Sequence, residues 1–547
     1  MKKQILIISA ILFLSIVILG SCKKDRDQVV PSTETNNQTV PAEKIVLGKQ
    51  LENPYLLSNM NMAYSNITNA PNARITSDSS PVRVTHLYLR FLPKDWTEYD
   101  VLKSDTTLKL YQIPLDYEIT TFGNTYQDPS IAEGSPTWQY VAIKQDYAFN
   151  KNIQHEILAE LYIPELDNSL GSSTANKRVA GKSFVEALVN EAMILTKNYS
   201  DTVTTNLSFA RTTFNPNGTV RVFDTRLNTL VPLQGVKMRA RRWFDVREAT
   251  TDANGWYQTS GFKNAANYSL IFETEGFDVR TGTFGQATID GPKQSSSWNV
   301  DLWDGTNRFY AHVFRGAWRY FYGNIGGLSR PKSVQDVGTL FKQKLKYSAM
   351  DKGGKSQGLN IGNWSFFGTN PNIFIYRYAE NGGEYASDEI FATTCHETCH
   401  TTHWQVMNLG IIQYGQINDF IAESWPVAVE WYITSLEYRS RGIANYGTET
   451  FSIHASYPLD RAYQYWPLNS SREYSFVFIN LCDNFNENIQ WGNSSLPNDQ
   501  VVGYILAGIE SNFLKQVYGQ TSLRDQLKNN KPAGVTDAQI DLLMNNY

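Results

Sequence analysis

Cysteine is scarce in this 547-residue chain: there are four, at positions 22, 395, 399 and 482. So few thiols exclude a disulfide-stapled scaffold, and with Cys22 set aside an odd number remains. Histidine is almost as rare. The chain has seven, and three of them fall within "HETCHTTH", residues 396–403. An excess of one charge is also missing. Lys and Arg number 49 against 53 Asp and Glu, a net charge of −4, with no basic run or arginine-rich face, which argues against nucleic acid as a partner. What is present is a globular composition, 41% hydrophobic and 13% aromatic, long enough for about three or four domains.

Lys2 and Lys3 precede an apolar run from Ile5 to Leu19, shorter than the ~20 residues of a bilayer-spanning helix, and the run ends in "LGSC". This is a targeting segment rather than part of the fold. The small residues before Cys22 resemble the lipobox of bacterial lipoproteins. That resemblance implies cleavage before Cys22, lipidation of its thiol, and membrane attachment through that lipid as an outer-membrane lipoprotein. The following "CKKDRDQ" is similar to the charged tether of lipoproteins that Bacteroidota send to the cell surface, so surface display is expected as well. A polar, proline-bearing stretch then holds the folded part off the membrane.

Next comes a mixed α/β pattern. "VRVTHLYLRF" and "TLKLYQIPL" read as strands, "TEYDVLKS" as a short helix, and "SFVEALVNEAMILTK" as a helix capped by Ser183 with Glu186. His86 and His155 are isolated and read as structural. From about 214 to 290, short alternating runs recur at roughly ten-residue spacing, the pattern of a small antiparallel sandwich. Val236, Met238 and Ala240 share one face, and Gly255 suits a turn with positive φ. Pro232-Leu233-Gln234-Gly235-Val236 and Thr251-Asp252-Ala253-Asn254-Gly255-Trp256-Tyr257 resemble the carboxypeptidase regulatory-like (transthyretin-like) sandwich. That fold implies a spacer or docking module without catalytic residues.

Helical patterns dominate after about residue 301. "NRFYAHVFRGAWRYFYG" reads as a helix closed by Gly323, and "NIFIYRY" as a strand, a candidate edge for pairing with an extended substrate backbone. Ser387 is the expected cap of a helix running to about Asn408. On that helix His396 and His400 stand about 40° apart and one turn apart, so both imidazoles can meet one cation. Glu397, turned about 100° from His396, can reach a water on that ion as general base. At this composition the H-E-x-x-H spacing arises by chance in roughly one such chain in two hundred. His403 lies about 10 Å along the axis from His396, too far for a third ligand, and is expected to support the site or face substrate. Cys395 and Cys399, on the flank of the helix, could hold a structural zinc as thiolates, but apolar packing is preferred.

The third ligand is expected downstream, where Glu423 and Glu430 share a helix face but differ by about 10 Å in height, so one metal takes only one of them. Pro426 suits a helix's first turn and so places Glu423 at the helix entrance. His396, Glu397, His400 and a later glutamate opening a second helix resemble the gluzincins, the zinc-peptidase group of thermolysin and the membrane-alanyl-type aminopeptidases. In the aminopeptidases "N-E-G-F-A" carries the ligand, with a second glutamate seven residues on. The similar segment here is Ala422-Glu423-Ser424-Trp425-Pro426, followed by Glu430, which implies that Glu423 is the ligand. The interval from His400 to Glu423 is longer than in those aminopeptidases, and their "G-x-M-E-N" motif is absent, so amino-terminal trimming is not implied. The full layout is similar to zinc-peptidase-like lipoproteins of Bacteroidota.

The expectation is therefore an α+β multidomain chain. Residues 1–22 are a lipoprotein signal peptide, 23–60 a flexible tether, 61–213 an N-terminal mixed α/β domain, 214–300 a regulatory-like β-sandwich and 301–547 a mainly helical zincin-like domain. His396, His400 and Glu423 would bind Zn2+, with Glu397 as the base in hydrolysis of a protein or peptide substrate. His454, Tyr457, Tyr463 and Tyr474 are candidates to stabilise the oxyanion. The alternatives are a surface-binding lipoprotein with a zincin fold and little turnover, and a zinc hydrolase acting on a non-peptide acyl bond.

Overall fold

The computed structural model of the chain describes residues 44–69, 82–167, 178–179, 182–198, 213–282, 285–332, 334–335, 342–358, 373–380, 382–409, 411–447, 463 and 474–547. The expected leader, Cys22 and most of the tether lie outside the described residues. The described part is mixed α/β with several sheets and a helical C-terminal region. Among the described residues no helix is long and apolar enough to cross a membrane.

The tether is shorter than expected. Strand Val46–Gln50 already pairs with Tyr117–Thr121, and helix Leu57–Thr68 buries Met60, Ala63 and Ile67. Apolar residues at helical spacing give that segment a face to pack, and a flexible linker has none. The partner of this helix is Phe184–Leu195, whose Ser183 hydroxyl accepts from the Glu186 N–H at 3.3 Å, as its capping pattern predicts. Both cover a three-stranded antiparallel sheet of Gln139–Lys144, His86–Leu92 and Gln154–Leu161. His86 and His155 bond locally, to Thr85 Oγ1 and to the Ile153 carbonyl, as structural histidines do.

The strand expected at "TLKLYQIPL" does not form. Tyr111 makes a single bridge to Tyr140, and Pro114 has no N–H to continue a ladder. Instead, Arg239 and Arg241 donate to the carbonyls of Leu110 and Leu115 at 3.0 and 3.1 Å, so side chains replace strand partners.

Two sheets follow. One is antiparallel, in the order Asp245–Thr250, Lys237–Arg242, Ala266–Ile271, Thr288–Gln294. The other joins Trp256–Gln258, Asn217–Asp224 and Val300–Leu302, with Thr229–Pro232 paired to Asn217–Asp224. Val236, Met238 and Ala240 are fully buried, as their alternation predicts. Gly255 has φ +74° in the turn, and a Cβ there would stand 2.3 Å from the Val220 carbonyl oxygen.

The expected boundary at residue 300 is not a boundary of packing. Strand Phe277–Thr281 pairs in parallel with Leu345–Gly353, which pairs in parallel with Ile373–Tyr378. Phe277 draws this strand across because its ring packs at 5.2 and 5.1 Å on Phe314 and Phe321 of helix Gly305–Tyr322. One apolar core runs from Val220 and Val222 through this helix to Ile375 and Ile390.

Helix Gly305–Tyr322, closed at Gly323 as expected, backs two long helices, Ser387–Met407 and Asp419–Ser440. Close approach is possible at Gly316, where a Cβ would lie 2.9 Å from both the Phe391 carbonyl oxygen and Thr394 Cβ. A buried ionic node ties helices Gly305–Tyr322 and Asp419–Ser440 to the sheet. Asp224 Oδ2 accepts from Arg315 Nη1 at 2.6 Å and from the Tyr438 hydroxyl at 2.8 Å. Arg315 Nη2 also donates to Glu437 Oε1 at 2.9 Å, and Arg319 Nη1 to Glu437 Oε2 at 3.0 Å.

Burial opposes charge on both carboxyls. The Arg315 guanidinium outweighs it and holds Asp224 below its ordinary value, and Arg315, Arg441 and Arg319 hold Glu437 at about 2. Groups depressed in the folded state stabilise fully above their unfolded pKa, near ~4, and lose that contribution as pH falls through the folded values. Asp224→Ala leaves Arg315 without one of its buried partners and should cost about 3–5 kcal/mol in urea unfolding at neutral pH, with the difference from the parent shrinking toward pH ~2.

Candidate metal centre

The helix Ser387–Met407 is buried on nearly every face, so its sequence shows no apolar stripe. Three of its buried threonines are satisfied in that setting. Thr394 and Thr398 donate to the carbonyls four residues back at 2.7 and 2.6 Å, and the Thr398 and Thr402 hydroxyls bond those of Tyr347 and Tyr320 at 2.7 and 2.8 Å. The helix begins one residue away from the expected cap. Ala386 is the N-cap, its N–H bonded to Glu389 Oε2 at 2.7 Å, while Ser387 Oγ accepts from the Thr225 N–H at 2.9 Å. It ends at Asn408, in the left-handed region at φ 51°.

His396, Glu397 and His400 come together, with ligand-capable atoms all within 4.8 Å of one another. The second helix adds Glu423. Its Oε2 lies 3.4 Å from His396 Nε2 and 3.5 Å from His400 Nε2. Glu397 Oε2 is 3.8 Å from His400 Nε2. Two carboxylates are therefore near both rings, and the one equidistant from the two Nε2 atoms is Glu423. Separations of 3.4–3.5 Å are long for hydrogen bonds. They match the ~3.4 Å edge of a tetrahedron with ~2.1 Å bonds, the geometry of Zn2+ with nitrogen and oxygen ligands.

Glu423 is not at the helix entrance. The helix runs Asp419–Ser440 with Asn418 as its cap, so Glu423 sits in its second turn and Pro426 lies inside it. A proline there only spares the Ala422 carbonyl its helical donor, which does not stop the helix. The same helix brings Glu430 to the other side of the first histidine. Its Oε2 lies 3.0 Å from His396 Nδ1, and its Oε1 accepts from the Tyr463 hydroxyl at 2.8 Å. Sequence reasoning noted the seven-residue spacing of the two glutamates but gave Glu430 no role. That spacing is the signal: two carboxylates on one helix face can address the two nitrogens of one ring.

Electrostatics favour a cation here. Burial alone would keep His396 neutral, yet the Glu423 and Glu430 carboxylates outweigh it and hold the pKa at about 9. Burial lowers His400 to about 4, with His396 adding to that fall and Glu423 opposing it. The carboxylates on either side of the His396 ring thus favour positive charge in the cluster.

The other expected residues divide. His403 is fully buried with Nδ1 3.0 Å from the Tyr414 hydroxyl, so it supports the helix and does not face substrate. Cys395 and Cys399 are fully buried thiols, Cys395 donating to the Gly316 carbonyl at 3.8 Å. Burial pushes both well above the ordinary thiol pKa, which fits packing rather than thiolate ligation. Tyr463 is committed to Glu430, whereas the Tyr474 ring lies 6.3 Å from that of His396. His454 and Tyr457 lie outside the described residues.

Strand Ile373–Tyr378 is the edge strand of its sheet, as expected, but its outer side is partly covered. On its outer side Gln357 and Phe374 exchange backbone hydrogen bonds at 2.9 and 2.8 Å, antiparallel. The next residue, Gly358, lies against the site: a Cβ there would stand 2.8 Å from Glu397 Oε2 and 2.5 Å from the Glu397 carbonyl oxygen. No spacing rule singles out this glycine, because the approach is between segments distant in sequence.

If the cluster binds a divalent ion such as Zn2+, Glu430→Gln should weaken that binding roughly 10–100-fold in competition with a chromophoric chelator, since a neutral amide supports the imidazole less. No family model matches the chain, and no curated protein or solved structure matches it, so the site is read from its own geometry.

Proposed function

We propose that the chain is a zinc-dependent metallopeptidase of gluzincin type, with His396, His400 and Glu423 as ligands and Glu397 as general base. The observation that carries this reading is the single carboxylate oxygen of Glu423 standing 3.4 and 3.5 Å from the two imidazole Nε2 atoms. Zn2+ held by these three groups would supply Lewis acidity to polarise a carbonyl and to lower the pKa of water toward ~7. The residues of the chain do the rest. Glu430 and Tyr463 orient the His396 ring through Nδ1. Glu397, buried and adjacent to His400, accepts the proton of the attacking water and delivers it to the leaving amine. Tyr474, beside His396, is the described candidate for a donor to the oxyanion.

The finer architecture belongs to the same proposal. The two facing sheets of residues 217–302 support a regulatory-like, transthyretin-like sandwich, and the parallel strands backed by three helices support a zincin-like catalytic unit. The reading also includes the lipid anchor at Cys22, an outer-membrane location with surface display, and a protein or peptide substrate.

A surface-binding lipoprotein with little turnover would need ligands but would have no use for Glu397. Incubating the zinc-loaded chain with a proteome-derived peptide pool and mapping cuts by mass spectrometry separates the readings. Cleavage is expected, and an uncut pool rejects the peptidase. Glu397→Gln should keep stoichiometric zinc while kcat falls ~100- to 10,000-fold. Gly358→Ala should also keep zinc but lower kcat roughly 10- to 100-fold, because the added methyl must displace the base or its neighbour.

A further inference from the structure

A cavity of about 100 Å3 lies between the N-terminal layer and the outward face of the antiparallel sheet, away from the histidine site. A polar row across that sheet forms its floor: Glu248, Arg239, Ser269 and Asp290, each directly opposite the next on neighbouring strands. These side chains alternate with Met238 and Leu270, which fill the apolar core on the other face.

Three lysines reach one end of the cavity, each from a different part of the fold. Lys103 comes from helix Trp96–Ser104, Lys237 from the sheet, and Lys344 from the residue before strand Leu345–Gly353. Their amines converge on one buried carboxylate. Glu273 Oε1 lies 2.6 Å from Lys237 Nζ, and its Oε2 lies 3.3 and 3.4 Å from those of Lys103 and Lys344. For Lys237 and Lys344, Glu273 is the one hydrogen-bond acceptor among the described residues, so two N–H donors on each amine are left over.

The other carboxylates near this end are engaged or distant. Glu248 accepts from Arg239 Nε at 2.5 Å, and Asp105 accepts from the Thr107 and Tyr147 hydroxyls. Asp278, 3.5 Å from Lys103, is shared with Arg280 at 2.8 Å. Asp290 stands two strands from Arg239, ~10 Å away. Burial raises it to about 6, with Arg241 and Arg239 rather than the lysines opposing that rise. Burial works against the charge on Lys103, yet Glu273, Tyr99 and Asp278 outweigh it. The shortfall falls on Lys344: burial lowers its pKa, with Lys103 and Lys237 adding to the fall and Glu273 opposing it. Tyr111, on the wall of the same cavity, has a buried hydroxyl with no partner among the described residues, its ring held by the Arg239 and Arg241 guanidiniums, each 5.3 Å from the ring centre.

The space takes roughly seven to ten waters. Water would accept from the spare donors but bring no charge, and three ammoniums around one carboxylate leave an excess of positive charge in a largely desolvated place. An oxyanion supplies both the acceptors and the charge. Ammonium groups bind phosphate and carboxylate alike, as point charges. The position, at the junction of separate structural layers, is one that small-molecule sites favour.

We propose that Lys103, Lys237, Lys344 and Arg239 form a binding site for a small oxyanion, a phosphate or a carboxylate, that joins the N-terminal layer, the antiparallel sheet and the parallel sheet behind the metal centre. This inference does not depend on the peptidase reading.

The test uses the purified full chain at neutral pH in equilibrium dialysis against radiolabelled inorganic phosphate and, separately, radiolabelled succinate, with NaCl holding the ionic strength constant. One saturable site is expected for at least one of the two, and the one retained names the source of the oxygens. Lys237→Gln and Lys344→Gln should each weaken retention roughly 10- to 100-fold, the worth of one charge-assisted hydrogen bond. Without either anion, Lys344→Gln should melt no lower than the parent, because it removes one of three crowded ammoniums. With the retained anion the parent should gain more in melting temperature than the variant, a difference that cancels the general stabilisation phosphate gives by exclusion from protein surfaces. A parent that retains neither anion holds water alone in the cavity, and the proposal falls. Retention that survives both substitutions belongs to another site and overturns it. A Lys344→Gln chain that melts well below the parent, or does not fold, makes the lysine a structural counter-charge of Glu273 and also overturns it.

Discussion

Three carboxylates, from Glu397, Glu423 and Glu430, converge on two imidazoles in a space where each side chain is 15% exposed or less. In a low-dielectric interior, negative charge so arranged must be answered by a positive one. At His396 the nearby carboxylates outweigh burial and favour the protonated ring. Positive charge is favoured at the point between the Nε2 atoms, and the rest of the C-terminal region holds the two helices at that separation. Gly316 lets the backing helix come close from one side, and the Asp224–Arg315–Glu437 node fixes that helix and Asp419–Ser440 against the sheet.

The two glutamates of the second helix divide the work. They are two turns apart, about 10 Å along the axis, so a single ion cannot take both. The His396 ring spans part of that distance, offering Nε2 toward Glu423 and Nδ1 toward Glu430. Glu430 in turn is held by the Tyr463 hydroxyl. A carboxylate beside Nδ1 favours the ring orientation in which Nε2 faces Glu423, the arrangement the proposed metal site would use.

What was legible in the sequence was what one element contains. The relation of His396, Glu397 and His400 follows from helical spacing alone, and the helix signals at Ser183 and Gly323 and the turn at Gly255 are equally local. Relations between elements were harder to read. Pro426 suggested a helix start, but the cap at Asn418 and the apolar packing of Phe420 and Ile421 carry the helix through an extra turn ahead of it. "TLKLYQIPL" alternates like a strand, yet arginines from another sheet take its carbonyls. Phe277–Thr281 reads as the last strand of a sandwich, and only the aromatic face of a helix more than thirty residues later explains why it joins a different sheet. Gly358 could not be read at all, because what matters is the absence of a side chain beside Glu397.

That absence bears on how the site works as a whole. A general base must be dry enough for its carboxylate to hold a proton between two steps, and open enough to receive one. Glu397 is 3% exposed, with its helix behind it, His400 at 3.8 Å and the backbone of Gly358 over it. Glu423, at 15%, is the wettest member of the cluster. Exposure falls from Glu423 inward to Glu397, so in the proposed peptidase water and substrate would meet the site on the Glu423 side and the base would stand on the dry side. Gly358 sets the end of that gradient: backbone can approach Glu397 this closely only where no side chain stands in the way, so the strand edge and the helix that carries Glu397 are coupled through one residue that contributes no functional group of its own.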